Sequence, residues 1–211
     1  TIVRARAVDV LLDVTRGEDA PDAAESTPYW LWLDLFQDTS LLANLDRIDV
    51  HRDGSFTWVG HLESDPEGSV HLTSRHDALL GDVLAGTVRF EDMSYKLAYA
   101  PVDIDGEPVC DGHVVYEVDE SALPGHTDDY VEVGDEYGDA DTGTAIALGD
   151  ATTTIDVLVV YTSAARSAAG GTSGIEAVAN LAISETNTGY SASNIVQRVQ
   201  LVHIAETNYS E

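Results

Sequence analysis

The side chains in this sequence that could do metal or nucleophilic chemistry are seven histidines, His51, His61, His71, His76, His113, His126 and His203, and one cysteine, Cys110. A single cysteine excludes an intramolecular disulfide framework, and no Cys-x-x-Cys pair or His/Cys cluster suggests a structural zinc site. His71 and His76 stand five apart across a strand end, a poor spacing for a shared metal, and both read as surface residues. His203 alternates with Leu201 and Ala205 and reads as a satisfied or half-exposed strand residue. Acidic loops can bind calcium, and Asp139, Asp141 and Asp150 outline such a loop. Thr144, however, stands where the sharp turn wants glycine, and Asp150 stands where a bidentate glutamate belongs. Calcium is thus weakly supported, and a solvated linker is the plainer reading. Asp103 and Asp105, before Gly106, read first as a turn. Trp30, Trp32 and Trp58 have strand spacing, which suits packing in a core or on a sheet face better than a ligand platform.

Charge narrows the functional classes. Against 38 Asp and Glu there are 10 Lys and Arg, a formal net charge of -28. Such a surface repels phosphate backbones, so nucleic-acid binding is not expected. Disordered acidic chains lack the apolar content seen here, 44%, so a folded protein with an acidic surface is expected. Repulsion among the carboxylates falls as salt shortens the Debye length, which suggests a high-salt environment. No apolar run is long enough to span a bilayer, so no membrane span is expected. Nothing resembling a signal peptide precedes the first strand, so any such peptide is expected to have been removed or to lie outside this sequence.

The elements that would position these residues divide the chain in two. Residues 2–14 alternate apolar and polar and read as a strand with one buried face. After a polar loop, strand patterns follow at 29–33, 41–53, 55–62, 69–73, 81–90, 93–99 and 114–119, separated by turn signals such as Asp53-Gly54 and Glu67-Gly68. That spacing is the spacing of an antiparallel β domain. No Lys or Arg occurs from Leu97 through Ala165, and eight acids lie between His126 and Asp150. This stretch reads as a solvated linker. Beyond it, residues 155–161 form a nearly continuous apolar run, as in a central strand buried on both faces. Ser173 and Glu176 can form a capping box, with Ile175, Val178, Ala179 and Ala182 on one helical face and Gly189 as a stop. Residues 195–205 return to a β pattern. Two strands joined by a crossover helix make a parallel βαβ unit. The fold class expected is α+β: a mostly antiparallel N-terminal domain, then an incomplete α/β unit that Glu211 cuts short.

The segments 155–162, 164–166, 175–177, 185–187 (Glu-Thr-Asn) and 199–203 resemble the start of the catalytic domain in bacterial reprolysin-like zinc metallopeptidases, a branch of the metzincins. Upstream, residues 54–60, 95–97 and 114–124 look like the β-rich pro-segment of the same proteins. The resemblance implies a pro-domain over 1–125, a linker over 126–153 and the first part of a catalytic domain over 154–211. It implies a secreted endopeptidase that uses Zn2+, acts on protein or peptide substrates and is processed by an activating protease at the linker. The family's zinc helix carries His-Glu-x-x-His-x-x-Gly-x-x-His, with the glutamate as general base. No such motif occurs in these 211 residues, so no histidine inherits that role, and the chain is expected to be inactive by itself. Cys110, inside the pro-segment, is then a candidate latency ligand, because a thiolate can fill zinc's open fourth position. Asp111 replaces the glycine of other metzincin switches, and a small thiol without a task is the competing reading. Two other functional classes stay open: a non-enzymatic acidic extracellular β-rich binding or adhesion module, and a calcium-dependent surface protein.

Overall fold

A computed structural model describes residues 2–8, 30–100, 112–119 and 154–209. Eight strands form one antiparallel sheet: β1 (Ile2–Ala7), β2 (Trp30–Phe36), β3 (Thr39–Val50), β4 (Phe56–Leu62), β5 (Ser69–Asp77), β6 (Gly81–Phe90), β7 (Met93–Tyr99) and β8 (His113–Asp119). The order β1-β8-β7-β6-β5-β4-β3-β2 is a meander from β2 to β8, to which β1 returns beside β8. The sheet curls into a half-barrel. Its edges are tied across the curl by Arg4 of β1. That guanidinium pairs with Asp38 in the β2–β3 turn at 2.7 Å and with Glu117 of β8 at 2.6 Å, and it lies 4.0 Å over the Phe36 ring. The Arg4 hydrogen bond is the chief reason that the Asp38 carboxyl is held below its ordinary value.

The register assigns the two faces. Trp58, Leu72, Gly86, Leu97 and Val115 are linked by successive partner positions, and Gly60, Val70, Val88 and Tyr95 by the next set. Trp58, Leu72, Val115, Val70, Val88 and Tyr95, with Leu41, Ala43 and Leu62, belong to the inner core, and Leu97 packs against it. On the outer face stand Thr57, Thr73 and Ala85, then Val59, His71 and Thr87. Both faces of the central strands are covered, which is why β6 is buried without a break from Val83 to Val88. Simple alternation does not describe such a strand.

The second unit is β9 (Thr154–Thr162), α1 (Ser163–Ala168), α2 (Thr172–Ala192) and β10 (Arg198–Thr207), with β9 and β10 paired in parallel. Thr162 caps α1 by accepting from the Ala165 amide at 3.1 Å. The α1–α2 reversal brings the two helices so close that a Cβ on Gly174 would lie 1.8 Å from the Ala169 carbonyl oxygen. Asn187 of α2 grips β10 through both backbone groups of Val199: its amide donates to the carbonyl at 3.0 Å, and its oxygen accepts from the N–H at 2.8 Å. The side chain thus acts on Val199 as a strand neighbour would.

Several expectations are corrected. The described part of β1 has no buried face, with Ile2 and Val3 exposed, because among the described residues it is an edge strand paired only with β8. Residues 9–14 lie outside the described residues. Strand β9 is not central: among the described residues its one partner is β10, and Leu158 and Val160 are 57% and 59% exposed. No capping box forms. Gly171 is the N-cap without a side-chain bond, because Ser173 and Glu176 are engaged by the sheet. Gly189 does not stop the helix, which runs on to Ala192. Of the expected face Ala179 is buried and Ile175 half-buried, but Val178 and Ala182 are exposed, whereas Ala177, Leu181 and Ser184 are buried. The helix faces a partly polar surface, so apolar periodicity alone selects a stripe that only partly coincides with the buried one.

Candidate functional site: the seam between helix and sheet

Helix α2 lies over the outer face of β4, β5 and β6, and the contact is built mainly from polar side chains. On the sheet side the β3–β4 turn sets one cluster. Asp53 Oδ1 accepts from the Ser55 amide at 3.0 Å and from its hydroxyl at 2.7 Å, the geometry of an Asx turn. Asp53 Oδ2 then accepts from Asn180 Nδ2 at 2.9 Å, and the same amide group donates to Ser55 Oγ at 2.9 Å. Asn180 is 1% exposed. Arg75 of β5 completes the cluster, joining Asp53 to Glu176 of α2, the latter at 2.6 Å. Burial alone would raise the Asp53 carboxyl. The Ser55 bonds, the Arg75 charge and the Asn180 amide outweigh it and hold the group below its ordinary 3.8.

One end of the seam joins Ser173 to Asp77, whose other oxygen accepts from the Leu79 and Leu80 amides at 2.8 and 3.1 Å. The Ser173 bond is the largest reason that the Asp77 carboxyl is also lowered. At the other end Thr188 Oγ1 donates to the Ser184 carbonyl at 3.0 Å. A hydroxyl has one proton, so its other two contacts must be acceptances. These are Arg47 Nη2 at 2.7 Å and His71 Nε2 at 2.9 Å. That count places the proton of neutral His71 on Nε2.

A hydroxyl beside an imidazole is the minimal pairing of nucleophile and base. Here the Thr188 proton is committed to a helix carbonyl, and His71 is 3% exposed. The arrangement holds two elements together; it does not present a nucleophile.

Burial lowers the His71 pKa below 6.5, Glu185 opposes that shift, and Arg47 and Arg89 reinforce it. His51, bonded through Nε2 to Thr57 Oγ1 at 2.8 Å, is lowered by burial as well. A histidine kept neutral by folding contributes stability that is complete above the unfolded value and falls as pH drops from about 6.5 through the folded one. Asp53 and Asp77, also lowered, contribute stability present above about 3.8 and lost below it. Both signs point the same way. Amide-exchange protection of α2 is expected to weaken as pH falls from neutrality, first below about 6.5 and again below about 3.8, the ordinary histidine and carboxylate values. In His71→Gln the first step should shrink and the second remain.

The sequence-predicted residues fare unevenly. His71 is not a surface residue but part of the seam. His76 is exposed and paired with Asp82 at 2.9 Å, and His61 with Asp46 at 2.7 Å. His203 is exposed on β10. Trp58 is in the core, while Trp30 and Trp32 are exposed on edge strand β2. Cys110, His126, the acids from Asp128 to Asp150 and the Asp103–Asp105 turn lie outside the described residues. Among the described residues no group of three His, Cys, Asp or Glu side chains could hold a metal, so they do not fit a zinc site. No helix there is long and apolar enough to cross a membrane. Sequence reasoning missed Arg47, Asp53, Arg75, Asn180 and Thr188. The available signal was the polar recurrence of Ser173, Glu176, Asn180, Ser184 and Thr188 at helical spacing, a pattern that usually marks a solvent face.

Comparison with known proteins adds the following. No family model and no solved structure matches the chain. A peptidyl-Asp metalloendopeptidase of Stenotrophomonas maltophilia (strain K279a) is 33% identical over 177 residues, covering 78% of this chain and 40% of that protein. One from Xanthomonas campestris pv. campestris is 30% identical over 202 residues, covering 90% and 46%. A stretch of that extent necessarily enters both units of the fold. The chain spans less than half the length of these curated relatives, and the relatives themselves are metalloendopeptidases.

Proposed function

We propose that the chain is the precursor region of a secreted, zinc-dependent endopeptidase of metzincin type. The eight-stranded unit is its pro-domain (1–125), residues 126–153 are an acidic linker, and 154–211 begin the catalytic domain. The observation that carries this reading is the similarity to metalloendopeptidases across both units. The parallel β9–α2–β10 unit accords with it, and an adhesion module gains no comparable support. Zinc would supply the activated water for peptide hydrolysis, with ligands and general base from sequence outside these 211 residues. Substrates would be proteins or peptides. The relatives' name suggests cleavage at Asp, and the linker carries six of these between Asp128 and Asp150, which makes it a fitting site for an activating cut. Cys110 enters the proposal as a latency ligand to the zinc. The charge of -28 argues for a high-salt extracellular setting.

The full-length protein tests this. Expected are endopeptidase activity that a chelator abolishes and zinc restores, a processing site between His126 and Asp150, and activity that is retained or raised in molar salt. A full-length protein without chelator-sensitive peptidase activity after processing would sink the reading. Cys110→Ser that leaves latency unchanged would remove only the thiol switch.

A further inference from the structure

The two units meet in a way suited to parting and rejoining. Among the described residues four polar links join α2 to the sheet unit, Ser173 to Asp77, Glu176 to Arg75, Asn180 to Asp53 and Ser55, and Thr188 to Arg47 and His71, and an exposed bond from Arg52 to Gln200 of β10 lies beside them. The helix positions recur at three, seven and fifteen residues from the first, so they form one stripe, roughly 22 Å long at helical rise. The apolar cluster beneath it joins Val83 and Ala85 of the sheet to Ala177 and Leu181 of the helix, with Tyr99 alongside, while Val59 of the outer face and Ile183 of the helix are buried as well. The larger core lies on the other face of the sheet and contains no residue of α2. A fold held by one shared core cannot be separated without exposing that core. A polar seam over a small apolar patch has instead the composition of an interface between partners. Every donor and acceptor named lies within the described residues.

We infer that the outer face of β4, β5 and β6 is a docking surface whose partner is the polar stripe of α2. It keeps the sheet unit bound to the helical unit as a noncovalent complex after the connecting chain is cut. The inference rests on the two-unit division proposed above, but not on peptidase chemistry. It adds that processing alone does not release the sheet unit. The links also set register, because the alternation of Asp77, Arg75, Asp53 and Arg47 along the sheet meets a matching order on the helix. A shift by one turn would set Glu176 toward Asp53 or Asp77, a like-charge contact.

The test needs no activity. A recognition sequence for a site-specific protease is placed between His126 and Asp150 in the 211-residue chain, the folded protein is cut, and the products are followed by sedimentation at micromolar concentration and neutral pH. The two pieces are expected to sediment together. Asn180→Leu and Thr188→Val, made separately, should each weaken the complex by about tenfold, the equivalent of about 1.4 kcal/mol. Ala182→Ser, on the exposed side of α2, should leave it unchanged. Pieces that separate in the unsubstituted protein, whether folded or not, overturn the inference. So does a complex that neither seam substitution weakens. Co-sedimentation in a protein whose full-length form shows no peptidase activity would uphold the docking surface and discard the proposed function.

Discussion

Trp58→Ala is expected to destabilise the sheet unit by about 3–5 kcal/mol, the range for removing a large aromatic from a packed core. Trp58 is 2% exposed and sits opposite Ile48 on one side and Leu72 on the other. Its ring runs along its own strand over Gly60: a Cβ there would lie 2.5 Å from the ring atoms Cη2 and Cζ3 and 2.2 Å from the Asn44 carbonyl oxygen. Glycine is required at that position by close approach, since its backbone is not in the left-handed region. The neighbours of Trp58 belong to β-strands tied into a ladder and can collapse only partly into the space left, which favours the upper half of the range. Urea unfolding of the 211-residue chain, followed by far-ultraviolet circular dichroism, gives the measurement. Trp30→Ala and Trp32→Ala are the comparison. Both side chains are more than half exposed on β2, and each change should stay within about 0.5 kcal/mol. A loss below about 1 kcal/mol for Trp58→Ala would mean that the inner face is not the core of this unit.

The same contrast shows what the sequence could and could not reveal. Strands β4 and β5 were legible because turn signals mark their ends: Asp53-Gly54 leads into β4, and Glu67-Gly68 separates β4 from β5. The parallel pairing of β9 with β10 was legible too, from a helix-length pattern between two β patterns. The burial of β9 was not. An apolar run states what a strand tolerates, and only its neighbours decide what it receives. Trp30, Trp32 and Trp58 have the same residue type and the same local spacing, yet sheet position separates them, edge against centre, and spacing carries no information on strand order. The seam was hidden for a related reason. Ser, Asn, Thr and Glu on a helix satisfy themselves equally well in water, so their recurrence marks an interface only when a complementary set stands opposite. Arg47, Asp53 and Arg75 are that set, and they are scattered over three segments of the chain. His71 was misread because a histidine between apolar strand residues has no local sign of a hydroxyl more than a hundred residues away.

Arg75→Ala carries the second large effect, and its size follows from exposure. Arg75 stands between two carboxylates, Asp53 and Glu176, with side chains 23%, 33% and 19% exposed respectively. Breaking a fully buried ion pair costs about 3–5 kcal/mol, and an exposed pair is worth about 0–1 kcal/mol. A group about three-quarters shielded, whose loss leaves two acids facing each other, belongs between these limits, at about 2 kcal/mol. Asp53 keeps its Ser55 and Asn180 bonds, whereas Glu176 loses its ion-pair partner and sits beside a second acid. The damage should therefore concentrate on the helix side. Removing that acid as well, in Arg75→Ala/Glu176→Ala, should restore about 1 kcal/mol relative to the single change, the coupling expected of contacting charges. Thermal unfolding read together with amide exchange of α2 distinguishes a local from a global loss: α2 should lose protection while the inner strands β5 and β6 keep theirs. Molar salt should reduce the penalty of the single substitution, because it screens the repulsion between Asp53 and Glu176. If the double variant is no more stable than Arg75→Ala, the guanidinium acts on the sheet alone and the charge link to α2 contributes nothing to holding the two units together.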